Sequence, residues 1–191
     1  MTTPQPGILL PIPPLARYLT FSLHPGVDPR GTLRKLAALA DGDRLVAGIG
    51  ESVVLALGRR IGGLRVFPSC TGAGFDIPST PSALWIWARG EDRGELFHRS
   101  RHVKRTAQES FEPEAFVVRR SMPWAEAMRA GLMFVAFGAS LDAFEAQLQR
   151  MAGLEDGITD ALFRFTRPVS GAYFWCPALR RGHLDLAPLG L

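Results

Sequence analysis

The amino-acid sequence predicts an α+β fold in which helices cover one face of antiparallel sheets. Short apolar segments of strand length and amphipathic segments follow one another in the order strand, helix, strand, helix, loop, strand, helix, strand, strand, helix, helix, strand. Few of these runs show the signature of a parallel crossover connection. Of the 191 residues, 47% are hydrophobic and 21% are charged, which is enough apolar material for a sizeable core.

The first part of the chain begins with a proline-rich stretch. Five prolines between residues 4 and 14 predict an extended arm without a helix. Asp28 and Pro29 form a cap-and-first-turn signal for a helix that ends before Asp41-Gly42-Asp43. The prediction for this part is strands at 17–23, 45–49 and 83–88, helices at 29–40 and 51–60, and a loop over 62–81.

The second part of the chain continues with the same two kinds of element. Leu141, Phe144, Leu148 and Met151 fall on one helical stripe, and Gly153 follows as a stop signal. The prediction is helices at 92–102, 141–151 and 160–165 and strands at 115–118, 131–138 and 172–175. The tail over 177–191, spaced by proline and glycine, is expected to run along the surface.

Charge and cysteine content restrict the class of function. The chain has 22 basic and 18 acidic residues, and the acids are interleaved with the arginines, so a nucleic-acid partner is not favoured. An anionic small molecule or cofactor suits such an arginine-rich chain equally well. Cys70 and Cys176 form no CxxC pair, which favours a reducing compartment. With no signal peptide and no membrane-spanning stretch in the sequence, we expect a cytoplasmic protein.

Two local patterns suggest ligand sites. Gly48-Ile49-Gly50 begins like a dinucleotide loop, but Val53 stands where the third glycine is required, so a strand turning into a helix is favoured. His98 and His102 are four residues apart, the spacing of helical zinc ligands, and Glu95 is the nearest further ligand. A pair of surface histidines without a metal is the alternative interpretation.

Four segments together resemble one family. His102-Val103 precedes the strand that ends Arg119-Arg120-Ser121-Met122-Pro123-Trp124. Gly131 to Ala136 follows, and later comes the stretch from Arg167 to Pro177. These segments look like the C-terminal part of the dye-decolourising (DyP-type) haem peroxidases. The Pro-Gln-Pro-Gly-Ile-Leu opening and Pro78-Ser79-Thr80 are similar to the N-terminal part of that family, so the resemblance covers essentially the whole chain.

The resemblance implies two ferredoxin-like parts, residues 1–101 and 102–191, or one merged domain, that hold haem b. It assigns His102 as the proximal iron ligand and Arg119 as the distal arginine that stabilises charge on a departing peroxide oxygen. Ser121 matches a polar distal residue of some relatives, and Arg120 would meet solvent or a propionate. Propionate contacts, or simply a solvated basic face, are implied for Arg99, Arg101, Lys104 and Arg105.

The sequence also departs from the family. The middle segment, with a Gly-x-x-Asp-Gly motif whose aspartate assists peroxide cleavage, is absent before His102. A string of that form, Gly153 to Gly157, follows the arginine instead of preceding it, and turn chemistry after a helix explains it better than a distal role for Asp156. Loss of the segment should expose sheet edges, which predicts re-pairing of the sheets or a homo-oligomer.

Several functions stay open at this point. The leading hypothesis is a DyP-type peroxidase that reduces hydrogen peroxide and oxidises an aromatic or dye-like substrate, with weakened turnover. The chain would then be a compact enzyme relying on Arg119, a haem-binding relative with little activity, or a shortened or engineered form. The alternative is a non-catalytic ferredoxin-like module that binds haem, an anionic ligand or a partner subunit. The tail over 184–191 suits surface packing better than an address for an encapsulating shell.

Overall fold

A computed structural model describes residues 1–72, 74–90, 108–126 and 128–191. The described residues form two compact units. One unit holds residues 1–66, 81–90 and 172–191, and the other holds residues 67–80 and 108–171 without Ala73 and Ala127. The predicted helix over 92–102 and the predicted boundary between residues 101 and 102 lie outside the described residues.

The elements, in chain order, are short and numerous. They are α1 (Pro6–Leu9), β1 (Leu15–Phe21), α2 (Pro29–Leu39), β2 (Leu45–Ile49), α3 (Glu51–Ala56), β3 (Cys70–Gly72), β4 (Phe75–Ile77), β5 (Leu84–Gly90), β6 (Val118–Arg119), β7 (Met122–Glu126), β8 (Arg129–Met133), β9 (Ala136–Phe137), α4 (Asp142–Met151), β10 (Leu179–Arg180) and β11 (His183–Leu184). Single 3₁₀ turns cover Gln108–Ser110, Ala161–Arg164 and Ala187–Leu189. Among the described residues, every helix falls short of the length and apolarity needed to cross a bilayer.

The first unit is built on a three-stranded antiparallel sheet with the order β1-β5-β2. Trp87 of β5 lies opposite Tyr18 of β1 and Val46 of β2. Strands β1 and β2 therefore run parallel to each other on either side of β5, and α2 lies between them in the chain. This is the split β-α-β arrangement of ferredoxin-like folds, and the predicted α+β class with antiparallel sheets is confirmed.

The core of this unit lies between the sheet and α2. Asp28 caps the helix, because its carboxylate accepts hydrogen bonds from Arg30 N and Gly31 N, each at 2.9 Å. Leu33 and Leu36 on one face of α2 join the same buried cluster as Ala47, which faces them from β2. On the opposite face of the sheet the aromatic rings of Tyr18, Trp85, Trp87 and Phe174 stack at centroid distances of 6.0 to 6.1 Å.

The prediction that the C-terminal tail runs along the surface is wrong. Instead, the tail places Leu179, Leu184, Leu186 and Leu189 in the core cluster of the first unit. The hairpin formed by β10 and β11 brings these leucines inward, so the prolines and glycines between them only mark the turns. The expected strand over 172–175 is reduced to an isolated antiparallel bridge between Trp175 and Ile49.

The prediction of an N-terminal arm without a helix is also wrong, because residues 6–9 form the short helix α1. Gln5, immediately before it, is almost fully buried. Its Nε2 donates to Ala47 O at 2.8 Å and to Pro177 O at 3.0 Å, and its Oε1 accepts from Ala47 N at 2.8 Å. One amide side chain therefore satisfies both polar backbone groups of Ala47 on β2 and fastens the arm beside the strand.

The second unit consists of two-stranded antiparallel pairs and one helix. The pairs are β3 with β4, β6 with β9, and β7 with β8. The strand predicted over 131–138 is two strands, β8 and β9, and the strand predicted over 115–118 overlaps β6 only at Val118. The helix predicted over 160–165 is one 3₁₀ turn, and the loop predicted over 62–81 contains the β3–β4 hairpin. Helix α4 agrees with its predicted stripe.

Candidate functional site

Arg119 lies at the end of β6, directly opposite Ala136 of β9. The two side chains share one face of the strand pair, because opposed residues of an antiparallel ladder point the same way. The Arg119 side chain is half-buried, and its Nη2 donates a hydrogen bond of 2.5 Å to Gln147 Oε1 on α4. Burial lowers the pKa of the guanidinium below its usual value.

Gln147 is the residue that the sequence analysis missed. It is only 4% exposed, and besides accepting from Arg119 its Nε2 donates to Ala115 O. Its position is three residues after Phe144 and four before Met151, so it falls on the apolar stripe of α4. A polar side chain within such a stripe was the available signal, because an amide is seldom buried without hydrogen-bond partners.

Ser121 lies just beyond β6. Its hydroxyl accepts a hydrogen bond from Val135 N at 3.1 Å and is 3.4 Å from Val135 O. Arg120 N also donates to Val135 O, at 2.9 Å, and Arg120 Nη1 donates to Arg119 O at 3.0 Å. The structure therefore joins Ser121 to the backbone between β8 and β9, and it joins Arg119 to α4.

A shallow apolar depression adjoins the Arg119–Gln147 contact. Ala136, the cross-strand neighbour of Arg119, lies in its wall together with Gln147. Its other lining residues are Phe134, Phe144, Leu148 and Met151. The depression is open to solvent and encloses no ligand-sized cavity, so it offers at most one wall for a flat apolar group.

The remaining predicted site residues lie outside the described residues. They are the iron ligand His102, the propionate candidates Arg99, Arg101, Lys104 and Arg105, and the possible zinc ligands Glu95 and His98. Within the ranges that the structure describes, no group of three or more metal-ligating side chains is found. The roles assigned to these residues from the sequence stay predictions.

Two sequence patterns are shown to be structural. Gly153 and Gly157 have φ angles of +73° and +75°, and Asp156 Oδ1 accepts from Ile158 N at 2.9 Å, as in a turn after a helix. At Gly48 and Gly50 an added Cβ would lie 2.7 Å from the Phe174 side chain and 2.0 Å from Ser82 O. These glycines allow the chain to pack on itself where β2 turns into α3, as predicted.

Comparisons with known proteins find one matching family model and several solved structures of similar fold. Residues 88–181 match the family model described as Dyp-type peroxidase, C-terminal. A dye-decolorizing protein from Vibrio cholerae has 18% identity and a TM-score of 0.64, with 93% of this chain and 97% of that chain covered. The encapsulated DyP-type peroxidase from Mycobacterium smegmatis has 17% identity and a TM-score of 0.67, with 92% and 96% covered. A protein of the DyP type from Shewanella oneidensis has 15% identity and a TM-score of 0.71, with 99% and 98% covered. At these identities the solved structures show a shared fold.

Proposed function

Because the chain belongs to the DyP-type peroxidase family, through the match over residues 88–181, we propose that it binds haem b and reduces hydrogen peroxide. The reducing equivalents would come from an aromatic or dye-like substrate. The observation that carries the proposal is the half-buried guanidinium of Arg119, held beside an apolar wall. That combination suits a site where negative charge forms on an oxygen atom next to a flat apolar cofactor.

The described residues fit a haem in their chemistry. The face of a macrocycle needs apolar contacts, and Phe134, Phe144 and Leu148 supply them in the depression. Arg119 supplies a donor-only cation beside this wall. A haem, when bound, would supply the redox-active iron for peroxide reduction and substrate oxidation.

We assign each predicted residue a role in this proposal. His102 would hold the iron on the proximal side as a neutral imidazole. Arg101 and Arg105 would pair with the propionates, since guanidinium groups bind carboxylates in a bidentate fork. Arg119 would stabilise negative charge on the peroxide oxygen, and Ser121 would contribute a polar group near it.

The proposed turnover is weak, because the sequence lacks, before His102, the motif that carries the distal aspartate in the family. The only Gly-x-x-Asp-Gly string forms a surface turn, and Asp156 accepts a hydrogen bond from Ile158 N within that turn. A positioned general acid–base group contributes typically 10²–10⁴-fold to a rate. We therefore propose a turnover about a hundredfold or more below that of an enzyme with the distal aspartate.

We propose a cytoplasmic protein that forms homo-oligomers. Both cysteines are free thiols, and burial raises the pKa of Cys176 to about 12, which suits a reducing compartment. Among the described strands, β1 pairs only with β5, so its other edge offers a place for a second copy. A shell address at 184–191 is not supported, because Leu184, Leu186 and Leu189 are buried in the core.

The test is steady-state oxidation of an anthraquinone dye by hydrogen peroxide with the haem-reconstituted full chain. Replacing Arg119 with leucine should lower kcat/KM for peroxide by about 10²–10³-fold, as for loss of a preorganised donor. Arg129→Leu, at an exposed arginine on β8, in a different strand pair, is the control and should leave kcat/KM unchanged. Equal rates for the Arg119→Leu variant and the parent chain would refute the proposed role of Arg119.

A further inference from the structure

We propose that the first unit has a binding site for a small zwitterion with an apolar body, such as a free amino acid with an apolar side chain or the corresponding dipeptide. The site is a cleft of about 290 Å³ formed by α3 and the loop over 60–64. This volume is close to the lower end of the roughly 300–1,000 Å³ of ligand pockets, which suits a molecule of that size. The whole lining belongs to the first unit, so the proposal does not depend on haem binding.

The floor of the cleft is apolar and is held in place by the core. Val54 is only 1% exposed and belongs to the buried cluster of the first unit. Ile61 and Leu64 pack against the same cluster, and Leu55, which is 46% exposed, adds apolar surface at the rim. Since core side chains are closely packed, this apolar surface is formed before any ligand binds.

Two opposite charges line the same cleft. Glu51 lies in the first turn of α3, and Arg60 lies in the loop that follows the helix. Among the residues that the structure describes, their side chains form neither an ion pair with each other nor a hydrogen bond with a third residue. Both charges are therefore available to a ligand in the cleft.

The charge pattern selects the class of ligand. A ligand with a single charge would find one partner of opposite sign and one of its own sign. A zwitterion pairs its ammonium group with Glu51 and its carboxylate with Arg60, whose guanidinium binds a carboxylate in a bidentate fork. The apolar body of the ligand then lies against the floor, where its burial adds to the affinity.

Gly62 helps to keep the cleft open. A Cβ added at this position would meet no atom within 4 Å, and the φ angle of Gly62 lies outside the left-handed region. The local fold therefore does not require a glycine here, and a side chain would extend into open space at the wall of the cleft. The neighbouring Gly63 is different, because its φ angle of +77° favours glycine through the backbone alone.

The first experiment titrates the ¹⁵N-labelled full chain with L-leucine and with leucyl-leucine, whose charged groups are farther apart. Each is compared with its N-acetyl form, which lacks the positive charge, and its amide, which lacks the negative charge. At least one zwitterion should shift the backbone amide signals over 51–64 and bind about five- to tenfold more tightly than both of its analogues. Equal binding of an analogue would overturn the proposal. So would unchanged signals with both zwitterions up to about 20 mM, because ligands of this size reach millimolar affinity with ordinary efficiency.

The second experiment repeats the titration with variants that separate the two charges. Arg60→Gln should make the zwitterion bind as weakly as its amide, and Glu51→Gln should make it bind as weakly as its N-acetyl form. Gly62→Phe should fill the cleft and abolish binding, with a melting temperature close to that of the parent chain. Arg34→Gln, at an exposed arginine on α2, is the control and should match the parent.

Affinity equal to that of the parent chain in any of the three cleft variants would overturn the proposal. If Gly62→Phe does not fold, the two charge variants decide the matter, since each changes one partly or fully exposed side chain.

Discussion

Replacing the buried Gln5 with leucine should lower the free energy of unfolding of the first unit by about 3–5 kcal/mol. The side chain makes three hydrogen bonds, two with the backbone of Ala47 and one with Pro177 O. Each is worth about 1 kcal/mol net, and a buried polar group left unsatisfied costs about 1–3 kcal/mol. Ala47 and Pro177 are themselves buried, so water cannot readily replace the amide.

Urea unfolding followed by tryptophan fluorescence measures this change, because Trp85 and Trp87 are buried in the same unit. With a slope of about 1–3 kcal/mol per molar urea, a loss of 3 kcal/mol lowers the midpoint by about 1–3 M. Gln149→Leu, at an exposed position, is the control and should stay within about 0.5 kcal/mol of the parent. A midpoint for Gln5→Leu as close to the parent as that of the control would refute this account of the N-terminal arm.

Two further predictions concern local features of the first unit. Asp28→Ala should destabilise by about 1 kcal/mol through loss of the helix cap, and Asp28→Asn should retain most of the stability in a thermal melt. Equal melting temperatures for the two variants would contradict the capping role. Burial raises the pKa of Cys176 to about 12, so at pH 8 an aromatic disulfide reagent should modify this partly exposed thiol much more slowly in the native chain than after unfolding, with the native rate rising as the pH approaches 12. Rapid modification of Cys176 in the native chain at pH 8, located by mass spectrometry, would argue against its raised pKa.

Locally encoded elements of the fold could be predicted from the sequence. The cap at Asp28, the strand over 45–49 and the strand around Trp85 and Trp87 carry their signals within a few residues. The N-terminal arm and the C-terminal tail could not be predicted in this way. Their structures depend on docking against strands that are distant in sequence, as the contact of Gln5 with Ala47 shows.

At the candidate site, too, the sequence predicted some residues, and others became evident only from the structure. Arg119 was predicted as a site residue from its motif, and the structure adds a hydrogen bond from its side chain to Gln147. Gln147 escaped notice because helical periodicity selects apolar residues. Its place within the apolar stripe was a sequence signal, but its two hydrogen-bond partners are known only from the structure. The turn around Asp156 was predictable, because glycine at a helix end has a local conformational cause.

The most direct test of the account is the absorption spectrum of the full chain purified with a supply of haem. The account predicts a Soret band that is lost in His102→Ala and kept in His98→Ala, the matched control four residues earlier. A colourless folded chain would favour the non-catalytic ferredoxin-like module. An unchanged band in His102→Ala would contradict the assignment of the iron ligand.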